Sequence, residues 1–213
     1  GVEPSVLSIS SAHLYARNDS PIRETDPVSP RSVYARSKLE AERALLGLAS
    51  ELGFSVRIAR VFGLVAPIQP DHYVLHGLLR RAREGDVKGI PGLENERDYL
   101  DSRDVCRALV GVAELDEAEF VRVCPDRILN VGSGRAISIR SLAEKCVRAV
   151  RPAEEAENLV REMSSAPARA DDVPRIIASI DRYRGLFGEG PARIPIEETI
   201  RDSIAEWPSW RNR

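Results

Sequence analysis

The fold is decided by the stretch Pro4-Ser5-Val6-Leu7-Ser8-Ile9-Ser10-Ser11. Its apolar centre and its length predict a buried β-strand. After a loop, a helix is predicted from about Ser32 to Leu52 with Gly53 as its C-cap, and Phe54 to Val61 is predicted to form the next strand. Strand, loop, helix and strand make a βαβ unit, so we expect a parallel sheet with a right-handed crossover.

The rest of the chain alternates between helical patterns and short strands, which places it in the α/β class. A short strand is predicted at Ile128 to Val131, followed by a turn at Gly132-Ser133-Gly134. Residues 151 to 172 are polar and are predicted to form a loop, with a short strand near Leu159 to Glu162. Helices are predicted at about Tyr73 to Glu84, Ser102 to Leu115, Ile139 to Val150 (with Ser138 as its N-cap), Asp181 to Leu186 and Ile196 to Trp207.

Composition and charge exclude several classes of protein. Apolar residues make up 43% and charged residues 30% of the 213 residues, and the net charge is −2. These values are ordinary for a soluble globular protein, and no basic excess or polybasic run indicates binding to nucleic acid or to a membrane. No apolar stretch approaches the roughly 18 residues of a transmembrane helix, and the first residues lack the features of a signal peptide. We therefore expect a cytoplasmic protein.

The spacing of cysteines and histidines indicates neither disulfides nor a metal site. Cys106, Cys124 and Cys146 are an odd set without CxxC spacing, which favours reduced thiols in the cytoplasm. His72 and His76 are four residues apart and could share a helical face, but no acidic or Cys partner lies at the spacing of metal ligands. We therefore expect that the protein holds no metal ion.

Two side chains at the start of the long helix indicate proton chemistry. Tyr34 and Lys38 form a YxxxK pair, and the i,i+4 spacing places both on one helical face. A phenol with an ordinary pKa near about 10 is a poor acid or base at neutral pH, and a nearby ammonium favours the phenolate. Because this spacing occurs by chance in many helices, the pair taken alone is more often incidental.

Polar residues at the predicted strand ends favour a functional role for Tyr34 and Lys38. Ser10 and Ser11 end the first strand, and Arg60-Val61-Phe62-Gly63 ends the next one. Parallel α/β sheets bind their ligands at the carboxyl ends of the strands. The hydroxyl of Ser11 is therefore expected to donate to a substrate oxygen while Tyr34 transfers a proton.

Taken in order, these segments resemble the extended short-chain dehydrogenases that act on nucleotide sugars, which form the NAD-dependent epimerase/dehydratase family. The likeness covers nearly the whole chain, and within the family the chain is most similar to 4-ketosugar reductases, such as the GDP-4-keto-6-deoxymannose reductases. The segments that carry the likeness, with the family patterns, are Ser10 to Ala16 (SSxxVYG), Tyr34 to Lys38 (YxxSK), Arg60 to Pro67 (RxFNxxGP), Arg97 to Asp104 (RDF/YxxVxD) and Leu129 to Gly134 (YNxGSG).

This resemblance implies the C-terminal part of a Rossmann-type parallel sheet with a small α/β substrate-binding domain. Residues 1–66, with returning segments of about 97–127, would belong to the dinucleotide-binding domain, and 67–96 with 128–213 mainly to the nucleotide-sugar-binding domain. The implied catalytic residues are Ser11, Tyr34 and Lys38. The implied cofactor is NAD or NADP, and the residues implied to contact it are Ser10, Tyr34, Lys38, Arg60, Val61 and Phe62.

The resemblance also implies a nucleotide-sugar substrate. The guanidinium groups of Arg97 and Arg169 would hold its diphosphate bidentately, and Asp172 would accept from a ribose hydroxyl. Family dehydratases carry an acidic residue or an Asp-Glu pair where this chain has Ala12-His13, so we favour reduction or epimerisation of a nucleotide-linked 4-keto-6-deoxyhexose, with 4,6-dehydration as the alternative. The remaining implied substrate contacts are Ser11, Ala12, His13 and Gly63.

Departures from the family pattern leave other possibilities open. Gly63 stands where an Asn usually contacts the substrate, and Ala66 replaces a Gly of the same loop. The family's glycine-rich loop, whose amides hold the cofactor pyrophosphate, is missing from this sequence. The chain is therefore expected to be a fragment, to work with a separate partner chain, or to be a non-catalytic nucleotide-sugar-binding remnant.

The long helix also suggests a surface for a homodimer, because family members often dimerise through the helix that carries YxxxK. Leu39 and Leu46 lie seven residues apart and outside the apolar face of this helix, so they would permit such a contact. The residues of that apolar face, predicted to pack inside the protein, are Ala41, Leu45, Leu48 and Leu52.

Overall fold

The computed structural model describes residues 5–167 and 172–211, with side chains up to residue 206. Its helices are α1 (Val33–Leu52), α2 (Val74–Glu84), α3 (Ser102–Glu114), α4 (Glu117–Val123), α5 (Ile139–Val150), α6 (Ala153–Glu162), α7 (Asp181–Phe187) and α8 (Ile196–Arg211). Its strands are β1 (Ser5–Ser11), β2 (Ser55–Val61), β3 (Gly63–Val65), β4 (Ile90–Pro91), β5 (Glu96–Arg97), β6 (Tyr99–Asp101), β7 (Ile128–Val131), β8 (Ile137–Ser138), β9 (Ser165–Ala166) and β10 (Arg175–Ile176).

The central sheet consists of three parallel strands in the order β1-β2-β7. Ser11 pairs with Val61, and Val61 pairs with Val131, so the three strands end at the same level. Helix α1 connects β1 to β2 and packs against both strands. The predicted α/β fold with a parallel sheet is therefore confirmed, and the loops that follow the three strands meet at one edge of the sheet.

The ends of α1 follow the signals in the sequence. The Ser32 hydroxyl caps the helix by accepting a hydrogen bond from the N–H of Ala35 at 3.0 Å. Gly53 ends the helix in the left-handed conformation, with a φ of 72°, which a residue without a Cβ adopts most easily. The cap at the N-terminus determines where Tyr34 and Lys38 lie relative to β1.

The packed face of α1 differs from the predicted one. Leu48 and Leu52 are 45% and 72% exposed, so the prediction that they pack inside the protein is wrong. Leu39 is instead buried in a cluster with Leu14, and it is not available to a partner subunit in this conformation. The inner face also carries the buried carboxylate of Glu42. Because this residue is charged, the spacing of apolar residues alone does not identify the inner face. A homodimer stays a prediction.

Besides the small cluster around Leu39, two larger groups of buried side chains form the interior of the described chain. The first lies against the central sheet and includes Ala59, Phe62, Leu100, Phe120, Leu129 and Tyr183. The second lies between α2 and α5 and includes Leu75, Leu79, Leu93, Leu142, Cys146 and Ile200. The division into two domains stays a prediction, and the pairing of β7 with β2 argues for adding 128–131 to the part that carries the sheet.

One region was predicted wrongly. Residues 153–162 form α6 rather than a loop with a strand near Leu159 to Glu162. Ala156, Leu159 and Val160 have helical spacing and pack against the second buried group, so tertiary contacts stabilise a helix in a polar stretch. The short helix α4, which the sequence analysis did not predict, is capped by Asp116, which accepts from the N–H of Ala118 at 2.9 Å.

Two buried aspartates anchor the C-terminal part of the chain. Asp101 caps α3 and also accepts a hydrogen bond from the hydroxyl of Thr199 at 2.7 Å. Asp104 accepts from the N–H groups of Arg193 and Ile194, each at 2.8 Å. Helix α8 and the loop before it are therefore held against the start of α3, close to the segment that follows β5.

Candidate active site

Two serines lie at the carboxyl end of β1 and are nearly inaccessible, with 4% exposure for Ser10 and 6% for Ser11. Ser11 Oγ accepts a hydrogen bond from the N–H of His13 at 3.2 Å and so begins a 3₁₀ turn. Ser10 Oγ is buried and has no hydrogen-bond partner among the described residues. Buried hydroxyls are normally paired, so the hydrogen-bonding capacity of this one is unused in the structure.

Helix α1 brings the YxxxK pair to the same strand end. Lys38 Nζ donates a hydrogen bond to the carbonyl oxygen of Ile9 at 3.0 Å, directly before Ser10. The same Nζ lies 5.8 Å from the centre of the Tyr34 ring. The Tyr34 side chain is about half exposed (53%), so its hydroxyl is open to a ligand. The structure therefore groups Lys38 with the end of β1 and with Tyr34.

Arg60, predicted to contact a cofactor, is paired inside the protein. Its Nε and one Nη donate to the two carboxylate oxygens of Glu42 at 3.0 and 2.7 Å, and both side chains are buried. The guanidinium also lies 4.8 Å from the centre of the Tyr15 ring. A bidentate pair of this kind ties α1 to β2 and so positions the helix that carries Tyr34. Phe62 is buried beside Tyr15, with ring centres 6.2 Å apart, and Val61 is half-buried.

A second buried network lies under the loop between β1 and α1. The Tyr15 hydroxyl donates to Asn130 Oδ1 at 2.7 Å, and the Asn130 N–H donates to Glu24 Oε1 at 2.9 Å. Burial raises the pKa of the Tyr15 phenol to about 12. Burial likewise raises the pKa of the Glu24 carboxyl above its ordinary range. These groups connect the loop to β7 and keep the strand ends in place.

A cavity of about 520 Å³ opens beside the strand ends. Four of the predicted substrate residues line it: Ala12, His13, Arg97 and Asp172. Ser11, Tyr34, Lys38 and Gly63 are not part of its lining, although Arg31 and Ser32, just before Tyr34, are. The volume is typical of a site for a small molecule. The structure thus brings four of the seven predicted substrate residues, from three distant segments, into one concave site.

Arg97 and Asp172 form an ion pair in the wall of this cavity. Asp172 also accepts a hydrogen bond from the side-chain amide of Asn95 at 2.8 Å. The guanidinium of Arg97 further donates to the carbonyl oxygen of Glu96 at 2.8 Å. Both predicted ligand-binding groups therefore lie at the cavity and hold each other in place. Arg169, the other arginine predicted to bind a diphosphate, lies outside the described residues.

One wall of the cavity consists of residues that were not predicted from the sequence. Asp71, His72, Tyr73 and Arg81 line it from the segment before α2 and from that helix. The rings of His72 and Tyr73 contact each other with their planes tilted by 34° and their centres 4.5 Å apart. The proline-rich approach to a helix N-terminus after β3 is the signal that pointed to this segment, but only folding brings it opposite Arg97.

Asp98 organises the loop that follows β7. Its carboxylate accepts from the N–H and the hydroxyl of Ser133, both at 2.6 Å, and from the N–H groups of Gly134 and Ala178 at 2.9 and 3.1 Å. A Cβ on Gly132 would lie 2.8 Å from the carboxylate, so a larger residue there would push it away. The Arg97-Asp98 and Gly132-Ser133-Gly134 motifs are therefore parts of one structural unit.

Comparison with known proteins decides the family. The NAD dependent epimerase/dehydratase family matches residues 1–132 of the chain. The chain belongs to this family. One curated relative, the GDP-6-deoxy-D-mannose reductase of Pseudomonas aeruginosa, is 29% identical over 98% of this chain and 67% of its own length. Another, the UDP-glucose 4-epimerase of Corynebacterium glutamicum, is 27% identical over 96% of this chain and 63% of its own length.

A solved structure agrees with this assignment to the epimerase/dehydratase family. The RMD protein of Pseudomonas aeruginosa complexed with NADPH is 26% identical, with a TM-score of 0.77, and the match covers 98% of this chain and 68% of that protein. The predicted family, its Rossmann-type fold and its dependence on NAD or NADP are therefore confirmed. The chain spans about two thirds of the length of the curated relatives that it matches.

Among the residues predicted to contact a dinucleotide cofactor, Ser10, Tyr34 and Lys38 suit that role, and the side chain of Arg60 does not. The unpaired Ser10 Oγ at the carboxyl end of β1 and the half-exposed phenol of Tyr34 are hydrogen-bonding groups of the kind that a ribose or a nicotinamide requires. The ammonium of Lys38 donates to the carbonyl oxygen of Ile9, directly before Ser10, and lies 5.8 Å from the centre of the Tyr34 ring. The guanidinium of Arg60 is engaged by Glu42 inside the protein, and it is not free to bind a phosphate in this conformation.

The part of the chain that the structure describes shows neither a cluster of metal ligands nor a helix that could span a membrane. Within residues 5–167 and 172–211, no three His, Cys, Asp or Glu side chains are grouped so that they could hold a metal ion. None of the helices in those ranges has the length and the apolar character needed to cross a membrane.

Proposed function

We propose that this chain supplies the proton-transfer residues and the nucleotide-sugar cavity of an NAD(P)-dependent reductase or epimerase that acts on a nucleotide-linked 4-keto-6-deoxyhexose. The observation that carries the proposal is the grouping of Lys38, Tyr34 and the end of β1: Lys38 Nζ donates to the carbonyl oxygen of Ile9 at 3.0 Å and lies 5.8 Å from the Tyr34 ring. Similarity to a GDP-6-deoxy-D-mannose reductase supports the choice of sugar.

In this proposal Tyr34 is the general acid of the reduction. Its hydroxyl proton passes to the C4 oxygen of the ketosugar as a hydride reaches C4, so the ketone becomes an alcohol and Tyr34 becomes a phenolate. NADH or NADPH supplies that hydride when it is bound. The ammonium of Lys38 stabilises the phenolate by its charge, and a proton from water restores the phenol afterwards.

Ser11 and Lys38 orient the reacting groups. The hydroxyl of Ser11 donates a hydrogen bond to the C4 oxygen and holds it towards Tyr34. The carbonyl oxygen of Ile9, the residue directly before Ser10, fixes the ammonium of Lys38 at the strand end. We assign Ser10 and Lys38 to the ribose and nicotinamide end of the cofactor, because both polar groups lie at the carboxyl edge of the parallel sheet.

The cavity receives the nucleotide sugar. Arg31, Arg81 and Arg97 line it, and three guanidinium groups suit a diphosphate because their planar N–H groups match its oxygens. Asp172, which pairs with Arg97, is assigned to a ribose hydroxyl of the nucleotide. His13 and Ala12 line the cavity where family dehydratases carry carboxylates, and this favours reduction or epimerisation over 4,6-dehydration.

Replacing Tyr34 tests the proposal. Tyr34→Phe keeps the half-exposed ring and removes only the proton donor, so turnover of GDP-4-keto-6-deoxymannose with NADPH should fall by roughly 10²- to 10⁴-fold. The Kd of the nucleotide sugar, measured by calorimetry, should stay within about twofold, because the proton is transferred in the transition state and does not contribute to binding of the substrate. The matched control is Tyr183→Phe, a tyrosine of α7 that packs against Phe187 outside the cavity lining.

The outcomes separate the proposal from its alternatives. Unchanged turnover in Tyr34→Phe would contradict the assignment of the acid. Binding of UDP- or GDP-sugars without any binding of NADH or NADPH would favour a non-catalytic nucleotide-sugar-binding protein. Conversion of GDP-mannose to a 4-keto-6-deoxy product, with release of water, would support the dehydratase alternative.

A further inference from the structure

We infer that Tyr99 contacts the sugar of the bound nucleotide sugar, with a ring that packs over Gly63 and a phenol that donates a hydrogen bond to a sugar hydroxyl. The inference rests on the proposed function, because it names a specificity-determining residue of the same cavity. Neither motif comparison nor the proton-transfer mechanism assigns a role to Tyr99. It follows from how β3 and β6 pack.

Gly63 and Tyr99 face each other across two paired strands. They are direct partners in the parallel pairing of β3 with β6. A Cβ placed on Gly63 would lie 2.7 and 3.0 Å from two carbons of the Tyr99 ring, and 2.5 Å from the carbonyl oxygen of Asp98. Real Cβ atoms do not approach other atoms so closely. The ring of Tyr99 therefore occupies the space that any side chain at position 63 would need.

The same pairing gives Tyr99 its position along the substrate. Ser11 pairs with Val61 at the end of the central sheet, and Gly63 follows Val61 by two residues, so Tyr99 lies close to the reacting strand ends. Arg97 and Tyr99 are separated by one residue and both line the cavity. With the diphosphate assigned to Arg97, the group nearest to Tyr99 is the hexose between the diphosphate and Ser11.

The phenol has the chemistry that a sugar requires. Tyr99 is part-buried in the cavity wall, and its hydroxyl makes no hydrogen bond to any of the residues that the structure describes. Burial raises the pKa of the phenol far above its ordinary value, so the group stays protonated and donates at neutral pH. A hydrogen bond to a sugar hydroxyl would pair this donor and would reject a ligand that lacks the hydroxyl.

Calorimetry on wild-type protein and on Tyr99→Phe tests the inference, because phenylalanine keeps the ring over Gly63. The ligands are three matched pairs: UDP-glucose and UDP, dTDP-glucose and dTDP, and GDP-mannose and GDP. For the sugar that binds, Tyr99→Phe should raise the Kd by roughly 3- to 10-fold, the loss expected for one hydrogen bond. The Kd of the matching nucleoside diphosphate should change by less than about twofold. Tyr183→Phe, in α7, should change neither value.

Each result has one meaning. A larger Kd for the nucleotide sugar alone supports the contact with the sugar. Unchanged affinity for both members of a pair overturns it, and so does an equal loss for both, since an equal loss indicates a contact with the nucleotide or a structural role. Failure of the wild-type protein to bind any of the six ligands contradicts the proposed function, and the inference fails with it.

Discussion

Replacing Asp98 by Asn changes a single polar group in a buried carboxylate that accepts four hydrogen bonds near the cavity. Asp98 is 1% exposed, and both of its oxygens face donors. One oxygen accepts from the N–H and the hydroxyl of Ser133, and the other accepts from the N–H groups of Gly134 and Ala178. An amide NH₂ placed on either side meets groups that already donate, so Asp98→Asn cannot preserve this arrangement.

The cost follows from these four bonds. The best placement puts the NH₂ towards Ser133, whose hydroxyl can turn to accept, but the N–H of Ser133 then stays buried and unpaired, at a cost of about 1–3 kcal/mol. The two remaining bonds change from charged to neutral and weaken by about 1 kcal/mol each. Burial raises the pKa of the Asp98 carboxyl, so removing the charge recovers part of that loss. We expect a net destabilisation of about 2–4 kcal/mol.

Denaturant unfolding of Asp98→Asn measures this value, with exposed Asp19→Asn as the control. For a protein of this size the expected loss lowers Tm by roughly 5–15 °C. The control should stay within about 0.5 kcal/mol of the wild type. A loss below about 1 kcal/mol for Asp98→Asn would refute the reasoning, because it would mean that the four donors find other partners at little cost.

Two further predictions concern stability. Gly63→Ala should lower the free energy of unfolding by about 1–3 kcal/mol, because its Cβ would lie 2.7 Å from the Tyr99 ring and 2.5 Å from a backbone oxygen. The control Gly47→Ala, with open space around the new Cβ, should be neutral or stabilising. Equal effects of the two substitutions in thermal unfolding would contradict this prediction. Burial raises the pKa of Glu24 above 4.5, so its contribution to stability is complete below that pH and is lost as the pH rises through the folded-state pKa. Glu24→Gln should therefore flatten the dependence of Tm on pH in this range, whereas the control Glu51→Gln, at an exposed position, should not. Parallel Tm–pH profiles for Glu24→Gln and the wild type would refute this prediction.

Local signals in the sequence were sufficient for the sheet and for the helix that carries the proton-transfer pair. Ser32 and Gly53 mark the ends of α1 through cap chemistry that depends only on neighbouring residues. The apolar runs of β1 and β2 predict strands for the same reason. Tyr34 and Lys38 share a helical face by spacing alone, and Lys38 indeed reaches the end of β1.

Long-range contacts account for what the sequence could not predict. The inner face of α1 carries Glu42, whose burial depends on Arg60 of the next strand, and no pattern within the helix reveals that partner. Likewise, α6 is stabilised by packing against α5, although half of its own residues are charged. The proline-rich approach to α2 marks the segment at 71–74 in the sequence, but this segment joins Arg97 in the cavity lining only after folding, so local signals did not predict it as part of the site.

The buried aspartates that follow β5 also have a consequence for synthesis of the chain. The bond from Thr199 to Asp101 spans 98 positions, and the bond from Ile194 to Asp104 spans 90. Contacts so distant in sequence form slowly, and a nascent chain that ends before residue 190 leaves two buried carboxylates without these donors. The packing of α8 against the start of α3 can therefore form only after residue 199 has been synthesised, and the two carboxylates lack these donors until then.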